Sequence, residues 1–434
     1  MRKFLYSVFM LAAVVLAACS NDDNGDIQPK RGMTLNASVE DLSSRATMTD
    51  ESGTWKFAFA VNDQVSVSNS KISNYYTFTN NGSQFTSTDA MVTTEDADWY
   101  AYFPGNEVDL RNQTGTFADV ANKFVVAGKT AAATTGEKGL SITLKPKVAV
   151  LRVVAVDKKG ILDIHVKTAD GGWVKGLTAT KDAADFTVST SDTKTTLLHK
   201  AEGTVNAGEI NYVVVPAGVK IAIYNGDLLL NTTKDAGLAE GKYYTITSGP
   251  TKGTENALIN GVEKKINWVQ LWAGGPRFAT ENVAEEMTWT EAAKPGSDYV
   301  WGANWRTPTA EEVEEKGGLL FDWNTGQAQA GSPTFTITTA PDGTEETVVF
   351  TGMQLGYTKN TLTLYKKVVN GYNQFDFWTS TNDGGYGCKF IIWRKDNITW
   401  GFGISKRHDP NTEYHLVRPV LSIQNITNIT NNKK

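Results

Sequence analysis

Between Met33 and Gly249 the apolar residues follow a period of two, and that pattern restricts what the chain can fold into. Val61, Val65 and Val67 are separated by polar residues, and Ser141-Ile142-Thr143-Leu144 alternates. Val148 to Val156 is apolar throughout except for Arg152. Asn211 to Ala222, around Pro216, and Lys242 to Thr247 are two further strong segments. A period of two sends successive side chains to opposite faces of a strand, whereas a helix needs apolar residues three and four apart. The residues in these segments are the strand-favouring Thr, Val, Tyr and Ile, and Gly, Asn and Asp clusters punctuate them. No window reads as an amphipathic helix longer than two turns. An all-β region follows, expected as two β-sandwiches over residues 33–157 and 158–249.

The rest of the chain is built differently. Nine of the twelve tryptophans lie between Trp268 and Trp400. A stretch of Gly, Pro and Thr, residues 250–255, reads as a linker. After it, Thr309 can cap a helix, with Glu312 three residues on as its capping-box partner and Gly317 as the stop. Val313 would face inward. Short strands are expected at Thr334–Thr338, Thr347–Phe350, Thr361–Tyr365, Lys389–Trp393 and Thr399–Ile404. Residues 256–422 thus form an α+β domain with many aromatic anchors. In the tail, 423–434, Asn-Ile-Thr recurs at period three, which matches neither helix nor strand, so poor order is expected there. At roughly 150 residues per domain, 434 residues are consistent with this division.

Composition excludes several classes of function. Lys and Arg total 42 against 47 Asp and Glu, a net charge of -5. No cationic excess is present to neutralise phosphates, so nucleic acid is not an expected partner. The only cysteines are Cys19 and Cys388, too few for a disulfide scaffold or a multi-thiolate zinc site. The four histidines include no His-x-x-x-His pair. Gly128-Lys129-Thr130 resembles the end of a phosphate loop but lacks the upstream glycine and a following helix. Gly-x-Ser-x-Gly does not occur, and no carboxylate pair stands out as a catalytic dyad. The acidic run Glu311 to Glu315 reads as the solvated face of the helix. Neither enzymatic activity nor a cofactor or metal is expected.

At the N-terminus, Arg2 and Lys3 precede an apolar stretch from Phe4 to Leu16. It is too short to span a bilayer comfortably and has the form of a signal peptide, residues 1–18. Leu16-Ala17-Ala18-Cys19 resembles the lipobox of bacterial lipoproteins, which implies cleavage before Cys19 and acylation of that residue. Cleavage removes Arg2 and Lys3 and leaves 40 basic against 47 acidic residues. Residues 19–32 are polar and read as a flexible tether. The acidic run Asn21-Asp22-Asp23 resembles the signal that sends Bacteroidales-type lipoproteins to the outer face of the outer membrane. It can equally be a solvated linker.

Two further resemblances cover the mature chain. Residues 33–249 resemble the fimbrillin family of pilin-like lipoproteins. The resemblance rests on Met33 to Val39, Ser43-Ser44-Arg45-Ala46, Trp55 to Val67, Asp98 to Pro104, Leu144 to Val148 and Leu238 to Thr247. It implies cleavage after Arg45, removal of the first strand, and acceptance of a strand from the next subunit in the opened groove. Arg45 can also be an ordinary loop residue. Residues 256–422 resemble a C-type-lectin-like domain of the sulfatase-modifying-factor type. The carrying residues are Ile259 to Val262, Trp268 to Trp272, Phe278-Ala279 with Asn282-Val283, Trp301 to Thr309, Phe377 to Ser380 and Val417 to Val420. Cys388 alone cannot supply the thiol pair of the enzymatic relatives. The Glu-Pro-Asn, Gln-Pro-Asp and Trp-Asn-Asp tripeptides of calcium-dependent lectins are absent.

An exposed aromatic beside hydrogen-bonding groups is what a sugar binder presents. Asn382, Asp383, Tyr386, Trp393, Arg394, Asp396, Asn397 and Trp400 supply such groups and are the ligand candidates, against the alternative that they are core and turn residues. The expected protein is mainly β, a surface-anchored subunit at the tip of a fimbrium. Its partners would be other fimbrillin subunits, a host or bacterial glycan or protein, and the outer membrane through its lipid. The alternative is a stand-alone outer-membrane lipoprotein that captures glycan.

Overall fold

A computed structural model describes residues 34–39, 49–50, 53–54, 59–71, 73–87, 98–130, 140–157, 160–314, 334–339, 345–351, 360–367, 374–394 and 400–422. Cys19, Arg45, Ala46, Asp396, Asn397, the signal peptide, the tether and the tail lie outside them. The chain is mainly β, as the alternation requires.

The first region is a closed barrel. Around it run Thr34–Val39, Leu140–Pro146, Val126–Thr130, Trp99–Phe103, Gln64–Asn69, Tyr76–Asn80 and Phe85–Thr86. The alternating strand Leu140–Pro146 has the burial pattern the sequence predicts, with Leu140, Ile142 and Leu144 inside. The two edges of the expected sandwich are joined by the first strand. Thr34–Val39 lies parallel to Leu140–Pro146 on one side and antiparallel to Phe85–Thr86 on the other.

The second region packs two sheets. Val148–Val154 is the middle strand of three, antiparallel to Ile210–Pro216 and parallel to Tyr243–Thr247. Every residue of Val148–Val154 is buried, which explains a continuous apolar run in place of alternation. The facing sheet orders Asp185–Ser191, Trp173–Thr180, Leu162–Thr168, Ile221–Asn225 and Leu228–Thr232. Two strands within residues 33–157 therefore pair with the second region: Val148–Val154, and Glu107–Asp109, which is antiparallel to Trp173–Thr180. The contact is reinforced by Tyr102. Its hydroxyl donates to the Thr180 carbonyl at 2.9 Å, and its ring meets Phe186 edge-on with centroids 5.6 Å apart. One apolar cluster runs from Leu35 and Phe78 through Val150 to Val213 and Ile223, so barrel and sandwich share a core.

Among the described residues the C-terminal unit holds three small sheets and short helices. Lys252–Ile259, Val262–Gln270, Arg277–Ala279, Val420–Leu421 and Trp305–Arg306 form one sheet. Thr334–Thr339, Glu345–Thr351 and Thr361–Lys367 form the second, and Gln374–Asp383, Tyr386–Arg394 and Trp400–His408 the third. Residues 252–255 were expected in the linker. They are the first half of an edge strand paired with residues 266–269. Their polar composition suits a strand with one partner and a solvated face. The capping box forms as the sequence predicts. Thr309 Oγ1 accepts from the Glu312 N–H at 3.1 Å, and Glu312 accepts from the Thr309 N–H at 2.8 Å. Val313 is buried in the helix Ala310–Glu314. The unit rests on the second region: Gln270 Nε2 donates to the Val156 carbonyl at 3.1 Å, and Arg277 pairs with Asp157 at 3.1 Å.

Candidate functional site

Two places combine chemistry-bearing residues with a distinctive geometry. The first is the barrel seam. Leu35 is wholly buried between its register partners Leu140 and Phe85. Ala37 and Val39 share its face and pack on the core, while Asn36 and Ser38 are exposed. One strand therefore satisfies two edges at once.

The second place is the sheet Gln374–Asp383, Tyr386–Arg394, Trp400–His408. One of its faces carries Phe377, Phe390 and Ile404 into the core. Trp378, Lys389 and Ser405 lie in register on the opposite face, which the segment 409–416 covers. The six described ligand candidates sit at opposite ends of this sheet. Asn382, Asp383 and Tyr386 surround the tight turn at Gly384-Gly385. Asn382 Oδ1 accepts from the Gly385 N–H at 2.8 Å, Asp383 is 3.8 Å from Arg407, and Tyr386 is 47% exposed. Trp393 and Arg394 pair with Gly401 and Trp400 at the far end. Seven positions along a strand is about 23 Å at ~3.3 Å per residue. The structure does not bring these six together, and Asp396 and Asn397 lie outside the described residues.

It does bring together a set that sequence reasoning passed over. Lys389, 8% exposed at its side chain, donates to Asp376 at 3.1 Å, and its Nζ lies 3.2 Å from His415 Nε2. Glu413 Oε2 lies 3.3 Å from the same nitrogen. It also accepts from His408 Nδ1 at 2.8 Å, and His408 Nε2 is 2.7 Å from the Ser405 hydroxyl. Trp378, fully buried, meets His415 edge-on at 4.8 Å. Burial first, and the Lys389 cation second, hold the His415 pKa below its ordinary value. Burial alone would raise Glu413. Hydrogen bonds from the Asp409 N–H and from His408 and His415 outweigh it and hold that carboxyl low.

These shifts fix a pH dependence. A lowered folded pKa means the unfolded chain binds the proton more readily, so stability is lost as pH falls. The His415 contribution is complete above its ordinary value of 6.5 and declines below it. The Glu413 contribution declines below 4.5. The denaturation midpoint of the C-terminal unit, followed by tryptophan fluorescence, is expected to fall in these two steps. A His415→Phe variant should lose the upper step. If that step stays unchanged, another group causes it.

Among the described residues no helix is long and apolar enough to cross a membrane, and no group of His, Cys, Asp and Glu could hold a metal ion. Cys388 is free and buried, and burial raises its thiol pKa.

No protein-family profile matches the sequence, and no curated protein matches it. Similar solved structures exist. A candidate cell adhesion protein of Bacteroides ovatus is 8% identical, with 55% of this chain and 96% of that one covered and a TM-score of 0.33. A fimbrial protein of Bacteroides ovatus is 11% identical, with 91% and 100% covered and a TM-score of 0.26. A candidate polysaccharide-binding protein of Bacteroides thetaiotaomicron is 7% identical, with 50% and 91% covered and a TM-score of 0.28. Likeness at these scores does not establish a common fold.

Proposed function

We propose that the chain is a surface-anchored, fimbrillin-like subunit that accepts a donor strand at its barrel seam and presents its C-terminal unit as an adhesive tip. The observation that carries this reading is the pairing of Thr34–Val39. It closes the barrel through five register pairs on one side and two on the other. A cut after Arg45 would sever the covalent link of this strand to the rest of the barrel. Its loss leaves the edges Leu140–Pro146 and Phe85–Thr86 unpaired over an apolar groove, which another chain can fill by strand addition. A lectin-like domain after the sandwich suits a subunit that accepts a strand at the end of a fibre. The turn at Asn382, Asp383 and Tyr386 is the end of the third sheet that we assign to ligand. Acylated Cys19 would tether the uncleaved form to the outer membrane.

The test is Arg45→Ala expressed on cells. The variant is expected to stay folded and lipid-anchored and to be absent from fibres, while wild-type protein in fibres begins at Ala46. Incorporation of Arg45→Ala at wild-type levels would refute strand exchange. Shed wild-type protein beginning at Cys19 would move the glycan-capturing lipoprotein ahead.

A further inference from the structure

We propose that Ser405, His408 and Glu413 form a nucleophilic triad that hydrolyses short-chain acyl esters carried on an extended molecule. This activity stands apart from strand exchange. Glu413 is ionised and can only accept, so the 2.8 Å contact puts the His408 proton on Nδ1. Nε2 is then the lone-pair nitrogen, and the Ser405 hydroxyl, 2.7 Å away, donates to it. This is the arrangement in which an imidazole takes the proton of an attacking hydroxyl while a carboxylate holds the ring and stabilises the imidazolium.

The local backbone builds the set deliberately. Ser405 lies on the strand Trp400–His408, in register with Lys389. Arg407, just before His408, has φ 65, a left-handed backbone that a residue bearing a Cβ adopts at a cost. That departure from strand geometry accompanies the contact of His408 with a serine three positions earlier. The second oxygen of Glu413 accepts from the Asp409 N–H at 3.1 Å and so fixes the carboxylate. Lys389, 3.9 Å from Glu413, and His415 face the triad from the neighbouring strand and the covering segment. Asp409, Asn411, Thr412 and Tyr414 beside the triad are exposed. An open surface of this kind suits a small acyl group presented by a large molecule.

The chemistry balances with water as the only co-reactant. Ser405 Oγ bonds to the ester carbonyl carbon as its proton passes to His408 Nε2. The C–O bond to the alcohol breaks, and the leaving oxygen takes that proton. Water, deprotonated by the same nitrogen, then attacks the acyl carbon, and the carboxylic acid departs as Ser405 regains its proton.

The full chain treated with a fluorophosphonate probe is expected to be modified at Ser405, as read by peptide mass. It should hydrolyse p-nitrophenyl acetate faster than buffer alone. Ser405→Ala should keep the circular dichroism of the wild type, lose the label, and lose about 10³-fold or more of the turnover. Folded wild-type protein that neither takes the label nor exceeds the buffer rate would overturn the proposal. Label or turnover retained in folded Ser405→Ala would overturn it equally.

Discussion

Leu35→Asp is expected to open the barrel. Leu35 is wholly buried between Leu140 and Phe85. Truncating a buried leucine costs about 2–5 kcal/mol, and burying a carboxylate in its place adds several more. Together these approach the ~5–15 kcal/mol that holds a domain folded. The denaturant midpoint of the barrel should collapse, or the barrel should not form. Asn36→Asp, on the exposed face of the same strand, should stay within about 0.5 kcal/mol of wild type. Equal midpoints for the two variants would show that Thr34–Val39 is not integral to the barrel, and strand removal would then have no structural consequence.

Lys389→Met carries the second large effect. The lysine side chain is 8% exposed and that of Asp376, its partner at 3.1 Å, is 19% exposed. Removing one member of a buried pair leaves the other charge uncompensated, at about 3–5 kcal/mol. Here Asp376 would lose its cation beside a second carboxylate, Glu413, while its Oδ1 already has no partner. Removing both members with Lys389→Met and Asp376→Leu should recover most of the loss, since apolar replacement of a whole pair is often neutral. A double-mutant cycle decides the matter. Additive losses would show that the two side chains do not act as a pair.

The sequence spoke clearly wherever local pattern sets structure. The buried run around Val150, the alternation at Leu140–Leu144, and the Thr309–Glu312 capping box all formed as expected, because each depends on neighbours a few residues away. The hairpin at Ile259–Val262 was passed over, although its Asn-Gly pair is a strong turn signal. Asn260 and Gly261 adopt φ 51 and 75, the positive values a two-residue turn demands. What the sequence concealed depends on partners far along the chain. Glu107–Asp109 is too short to display a period, and Lys252–Glu255 look like linker because a solvated edge needs few apolar residues. Proximity in sequence misled for Tyr386 and Trp393, since an extended strand carries them apart. Ser405 and His408 form no known motif; the contact goes with a left-handed backbone at Arg407, a residue type that gives no hint of one.

The parallel pairing of the first strand also sets the order of events during folding. Leu140 lies 105 positions after Leu35. The other barrel strands join largely through antiparallel neighbours closer along the chain, from Gln64–Asn69 with Tyr76–Asn80 onward. Contacts of long sequence separation form slowly, because a large loop must close before they reward the chain. Thr34–Val39 made early in synthesis therefore waits for its main partner and docks late. The sheet it completes is expected to have curled around an unfilled slot before it arrives. An open barrel is thus a shape the chain is expected to pass through on its way to the closed one. Cleavage at Arg45 would return the molecule to a conformation it has already visited.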